Sequence, residues 1–77
     1  MKDVVEYIAR ALVDEPEAVE VTEVAGERSM ILQLKVAPDD MGKVIGKRGR
    51  TVRAIRSLVR AAGSRQGVTT LVEIVEE

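Results

Sequence analysis

Cysteine, histidine, phenylalanine and tryptophan are all absent from this 77-residue chain, and tyrosine occurs once. Without cysteine there is no disulfide and no thiol nucleophile. Without histidine as well, most zinc sites and any Ser-His-Asp arrangement are excluded. No apolar run is long enough for a signal peptide or a membrane span, so a cytoplasmic protein with no membrane partner is expected. No set of residues is spaced for acid–base or nucleophilic catalysis, so neither an enzyme nor a bound cofactor or metal is expected. Repeats, low-complexity tracts and linkers are also missing, and residues 1–77 read as one domain. At 45% apolar residues, disorder is not expected. A chain this short buries only about 60% of its unfolded surface, so its stability should be modest.

What the chain does have is charge sorted by position. The formal net charge is −1. Residues 1–40 hold ten acids against Lys2, Arg10, Arg28 and Lys35. Residues 41–72 hold Lys43, Lys47, Arg48, Arg50, Arg53, Arg56, Arg60 and Arg65 with no acid, eight positive charges uncompensated within the stretch. Glu73, Glu76 and Glu77 then make the tail acidic. Such asymmetry predicts a local positive field that the overall charge conceals. The competing reading is a solvated basic helix face paired with the acidic half.

Hydrophobic periodicity predicts the elements in order. Residues 3–13 read as a helix with Val4, Val5, Ile8, Ala11 and Leu12 as its apolar stripe, Tyr7 as a packing residue, and Pro16 as its stop. Val19-Glu20-Val21-Thr22 alternates as a strand. Val24 is out of phase, which suggests a bulge or a strand end near Glu23. After a turn at 25–28, Ser29 to Val36 is the clearest strand, with Met30, Leu32, Leu34 and Val36 on one face and Ile31, Gln33 and Lys35 on the other. The short connection makes these two strands an antiparallel hairpin. Pro38-Asp39-Asp40 reads as a capped start to a short helix over 39–45. A second helix runs from about Arg50 to Ala62 and stops at Gly63-Ser64. Val68 to Val75 is the last strand, with Val72 and Ile74 toward the helices and Leu71, Glu73 and Val75 away.

Between the two central helices lies Val44-Ile45-Gly46-Lys47-Arg48-Gly49-Arg50-Thr51-Val52. Gly46 suits a left-handed helix end, and Gly49 leaves the start of the next helix without a side chain. Lys47 and Arg48 are pushed out at the tip. A bare turn with two cations beside a helix N-terminus suits a phosphate backbone. A glycine turn with solvated cations is also common in a purely structural setting.

The order α-β-β-α-α-β then implies an α+β fold. The helix pair forms a crossover, so the second and third strands should be parallel. The second strand is central in a three-stranded mixed sheet, and three helices cover one face. Ile31, Leu71 and Val75 remain on the other face, as a solvated surface or part of an interface.

Ile45-Gly46-Lys47-Arg48-Gly49, followed by Arg50-Thr51-Val52, resembles the Ile-Gly-x-x-Gly-x-x-(Ile/Val/Leu) pattern of KH domains. The element order resembles the type II, bacterial arrangement, and the likeness covers essentially the whole chain. A free-standing chain of this size resembles the KhpA family of small bacterial KH proteins, also called YlqC. The resemblance implies single-stranded RNA binding in which the glycine loop clamps the sugar-phosphate backbone. Carried onto this chain, Gly46 and Gly49 permit close approach, and Lys47 and Arg48 meet phosphates. Lys43, Ile45 and Val52 belong to the helices that build the groove, with Arg50 and Arg53 close by. The central strand is expected to form the opposite wall, with Gln33 and Lys35 as weaker candidates. The resemblance also implies a homodimer, or a heterodimer with a larger KH-containing protein, and an RNA-chaperone role in post-transcriptional regulation.

The basic region contains no aromatic residue, so bases have no stacking platform there. Binding should rest on backbone charge and apolar contact, with strong salt dependence and low sequence selectivity. A nucleotide-binding enzyme is a poor alternative: only three residues separate Gly42 from Gly46, and Lys47 is followed by arginine rather than Ser or Thr. A protein-interaction module, using the Arg53-Arg56-Arg60 face and the open sheet face for dimerisation, is the stronger one.

Overall fold

In the computed structural model, which describes residues 1–75, the chain runs α1 (Lys2–Leu12), β1 (Glu20–Ala25), β2 (Ser29–Lys35), α2 (Met41–Ile45), α3 (Arg50–Arg65) and β3 (Thr69–Val75), with 3-10 turns at Pro16–Ala18, Pro38–Asp40 and Lys47–Gly49. The strand order is β1-β2-β3, with β1 antiparallel and β3 parallel to β2. This is the α+β arrangement that the sequence pattern predicts.

The core lies between the helices and one sheet face. Leu32 and Leu34 are fully buried there beneath Val5 and Ala9 of α1, Val44 of α2, and Ile55 and Val59 of α3. Burying each leucine contributes roughly 1.5–3 kcal/mol, so this pair on the central strand anchors all three helices. The α1 stripe is narrower than the sequence suggests. Val5 and Ala9 carry it, with Ile8 packed alongside, while Tyr7 is 76% exposed and is not a packing residue. Glu6 sits between Lys2 and Arg10, at 3.9 and 3.6 Å, on the flank of the helix.

The hairpin register is unbroken from Glu20↔Lys35 to Ala25↔Met30, so there is no bulge near Glu23. Val24 is out of phase with Val21 because it belongs to the far face. There it lines up with Ile31 and Leu71 in one row across all three strands. The backbone N–H of Gly26 donates to the Ser29 carbonyl at 2.8 Å and closes the turn.

Two further expectations are corrected. Asp40 does not cap α2, which has no side-chain cap at all. Its carboxylate instead accepts the backbone N–H groups of Asp14, at 3.2 Å, and Glu15, at 3.0 Å. The first of these donors would otherwise continue the α1 ladder, so α1 ends at Leu12, well before Pro16. Asp40 is 2% exposed. Burial pushes its pKa up, but the two backbone donors and the charge of Lys43 outweigh this, and the net shift is downward.

The second correction concerns Gly63. It does not end α3; the helix continues to Arg65. Gly63 is buried against β3, where an added Cβ would lie 2.8 Å from the Val68 carbonyl and 3.0 Å from the Thr70 Cβ. The glycine is there for close approach of helix to strand. Its carbonyl then accepts the Val68 N–H at 2.8 Å and turns the chain into β3.

Gly63→Ala should destabilise the fold by about 1–3 kcal/mol, the usual cost of overpacking, despite the better helix propensity of alanine; urea unfolding measures this directly. Because the pKa of Asp40 is lowered on folding, its contribution is complete above the unfolded value of about 3.8 and disappears as pH falls through the folded value. Between pH 5 and pH 3, wild type should therefore lose more urea resistance than Asp40→Asn.

Candidate nucleic-acid interface

The turn between α2 and α3 is built by backbone conformations that few residues tolerate. Gly46 closes α2 at φ 75°, ψ 174°, in a region essentially restricted to glycine. It has the positive φ that the sequence suggests, but its ψ is extended rather than left-handed helical. Even without that constraint a Cβ would stand 2.6 Å from the Thr51 Cβ and 2.9 Å from the Thr51 nitrogen. Arg48, at φ 58°, ψ 28°, is left-handed without being glycine, which costs about 1–2 kcal/mol. Gly49 follows at φ 74°, and its N–H donates to the Gly46 carbonyl at 3.2 Å. A guanidinium N–H of Arg53 donates to the Arg48 carbonyl at 3.2 Å and braces the turn from α3.

This turn projects Lys47 and Arg48 into solvent. Among the described residues, the side chains of Lys47, Arg48, Arg50 and Arg60 take part in no ion pair or hydrogen bond. Ile45 is partly exposed beside the turn, whereas Val52 is buried beneath Gly49 and supports it from below. Lys43 is placed differently. Its ammonium contacts the Asp14 carboxylate and lies 3.6 Å from Asp40 Oδ1. Its pKa is raised, chiefly by its hydrogen bond to Asp14 and the two carboxylate charges, against an opposing burial effect. Of the basic and glycine residues singled out by sequence, the structure therefore gathers Gly46 to Arg50 and Arg53 into one turn and sets Lys43 aside.

The wall facing the arginines of α3 is β3, not the central strand. Strand β2 is flanked on both sides, and Gln33 and Lys35 share the far sheet face with Ile31. Helix α3 packs on β3, and Arg56 Nε donates to the Val72 carbonyl at 3.3 Å across the seam. Two hollows follow this seam. One, of about 240 Å³, is lined by Arg56, Arg60, Leu71, Val72 and Glu73. The other, of about 330 Å³, extends from Arg60 and Leu71 past Ser64 to Gly67, Val68, Thr69 and Thr70. They share Arg60 and Leu71 and so form one groove. Within it the Thr70 hydroxyl is buried without a partner among the described residues. The i, i+3, i+7 spacing of Arg53, Arg56 and Arg60 carries the signal for this groove. The contribution of Leu71 and Glu73 depends on β3 being the strand next to α3.

Residues 2–74 match the family described as KhpA/KhpB, KH domain. The chain is 57% identical over 75 residues to the RNA-binding protein KhpA of Clostridium perfringens, covering 97% of this chain and all of that one. It is 48% identical to the protein of the same name from Chlamydia trachomatis, over 100% of this chain and 99% of that one. The figure for the protein of the same name from Aquifex aeolicus is 45%, over 99% and 96%. No solved structure matches significantly. With the glycine turn, the α-β-β-α-α-β order and full-length similarity in agreement, the chain belongs to the KhpA/KhpB family of KH domains.

Proposed function

We propose that the chain acts as one KH domain that binds single-stranded RNA, without catalysis, in the cytoplasm. The observation that carries this reading is a glycine turn, with Arg48 in left-handed strain, whose two cations have no partner among the described residues, followed along α3 by an arginine flank that reaches the groove beside β3 at Arg56. The turn holds phosphates through Lys47 and Arg48, with Gly46 and Gly49 admitting the backbone of the strand. Arg50 and Arg53 extend the positive track, while Ile45 and the buried Val52 shape and support it. The bases then lie along the seam between α3 and β3. With no aromatic platform, affinity rests on charge and groove contact, and sequence selectivity is low. The names of the relatives support RNA as the ligand class.

Dimerisation is the companion reading, and one observation favours it. Leu58 is 58% exposed on α3 between Ala54 and Ala61, above a hollow lined by Leu58, Ala61, Ala62, Arg65 and Gln66. On a helical wheel this face is turned about 160° from the arginine flank. RNA and a second KH chain, identical or larger, can then occupy opposite sides of one helix. Two linked sites on one RNA would raise avidity, which suits an RNA chaperone acting in post-transcriptional regulation.

Fluorescence anisotropy with a labelled single-stranded RNA tests the first reading. Lys47→Asp/Arg48→Asp should weaken binding at least about tenfold and reduce the salt slope by about 1.4, at 0.7 for each phosphate contact. Circular dichroism should show the variant folded. A labelled DNA of the same sequence tests selectivity for the sugar. Unchanged RNA binding by the folded variant would remove the turn from the interface. Leu58→Asp should abolish association in analytical ultracentrifugation and spare binding to an RNA only four nucleotides long; an unchanged sedimentation profile would eliminate this face.

A further inference from the structure

The five-residue helix α2 carries the glycine turn, and it is too short to be stable by itself. No side chain caps it. What fixes it is a closed set of contacts to the end of α1. Asp40, at its start, is buried and accepts two backbone N–H groups from Asp14 and Glu15. One turn later, Lys43 reaches back to the carboxylates of both Asp14 and Asp40. A buried ionised carboxylate needs a counter-ion, and Lys43 is the only cation given to Asp40 among the described residues. The direction of reach matters. Asp14 follows α1, which packs toward β1, while the groove lies between α3 and β3 at the opposite edge of the sheet. Lys43 therefore points away from the surface that the arginines build.

We propose that Lys43 is a positioning residue and not an RNA ligand: together with Asp14 and Asp40 it fixes α2, and through α2 the geometry in which the 46–49 turn holds phosphate. The proposal rests on the RNA-binding reading above. It also makes Asp14, an exposed acid outside the interface, a determinant of affinity whose effect has the opposite sign to simple electrostatics. Near a nucleic acid, removing an acid ordinarily strengthens binding, because it lessens repulsion of phosphate. Here removing Asp14 releases Lys43, loosens α2 and weakens binding.

The experiment is RNA titration of Lys43→Gln, Asp14→Asn, the double variant, Lys43→Arg and Lys47→Gln across a salt series, using one labelled single-stranded RNA. Lys43→Gln and Asp14→Asn should each weaken binding by about threefold to tenfold, and the double variant should be no weaker than either alone, as for side chains acting as one unit. The salt slope of Lys43→Gln should equal that of wild type, while Lys47→Gln should lose about 0.7. Lys43→Arg, which preserves charge and donors, should restore binding. Amide resonances of Gly46 and Gly49 should shift in Asp14→Asn while those of β1 and β2 stay in place, separating a local effect from general loosening. Tighter binding by Asp14→Asn, a slope loss of about 0.7 for Lys43→Gln, or unchanged affinity in both single variants would overturn the proposal. If wild type binds no RNA, the RNA-binding reading itself falls; if wild type binds but Lys47→Gln changes neither affinity nor slope, the turn leaves the interface and the proposal is overturned with it.

Discussion

The parallel pairing of β2 with β3 is the constraint on which the rest of the structure depends. Two antiparallel strands can be joined by a tight turn, as β1 and β2 are. Two parallel strands cannot, because the chain must return to the end where it started. Here the return is made by α2, the glycine turn and α3, laid over the same face that receives α1. The shortness of α2 and the length of α3 place the turn early in that crossover. It is held at both ends by packed helices, and the side chains at its tip stand in solvent. The strained left-handed backbone of Arg48 is tolerated because Val44 on one side and Val52 on the other are buried.

Helix α3 then divides its surface into sectors with different uses. Val52, Ile55, Val59 and Gly63 face the sheet. Arg53, Arg56 and Arg60 lie on one flank, and the first two are already engaged with backbone carbonyls of the turn and of β3. These bonds use part of each guanidinium fork and leave the remaining donors beside the groove. Ala54, Leu58 and Ala61 lie on the other flank and leave an exposed leucine with small neighbours. A helix so divided keeps its arginine flank and its exposed apolar flank on separate sides.

Asp40 shows how much one buried polar group can organise. It ends α1 by taking backbone donors from the chain beyond it, and it draws Lys43 toward α1. Lysine spacing therefore does not show which lysine has a carboxylate partner. Lys43 and Lys47 are four apart on either side of Gly46, and they serve different neighbours because the connection from α1 to β1 passes only one of them.

The sequence by itself determined the order of elements, the hairpin, the central place of β2, the parallel crossover and the position of the glycine turn. Each follows from short-range periodicity or from the reach of the chain. It also determined that Lys47 and Arg48 stand at a tip, since two glycines so close leave nothing to bury them. The sequence placed the end of α1 within one residue of Leu12, but only the tertiary structure shows that Asp40, about 25 residues away in the chain, takes the backbone donors there. The tertiary structure alone decided that Gly63 is a contact with β3 rather than a helix stop, because that depends on how near the strand comes. The phase of Val24 suggests a bulge or a strand end near Glu23; only the pairing with Ile31 and Leu71 shows a regular strand through Ala25 with an apolar row on its outer face. The groove wall was likewise a tertiary matter. Sequence spacing put three arginines on one flank of α3, but the strand opposite that flank is set by how helix and sheet pack, and that packing selects β3.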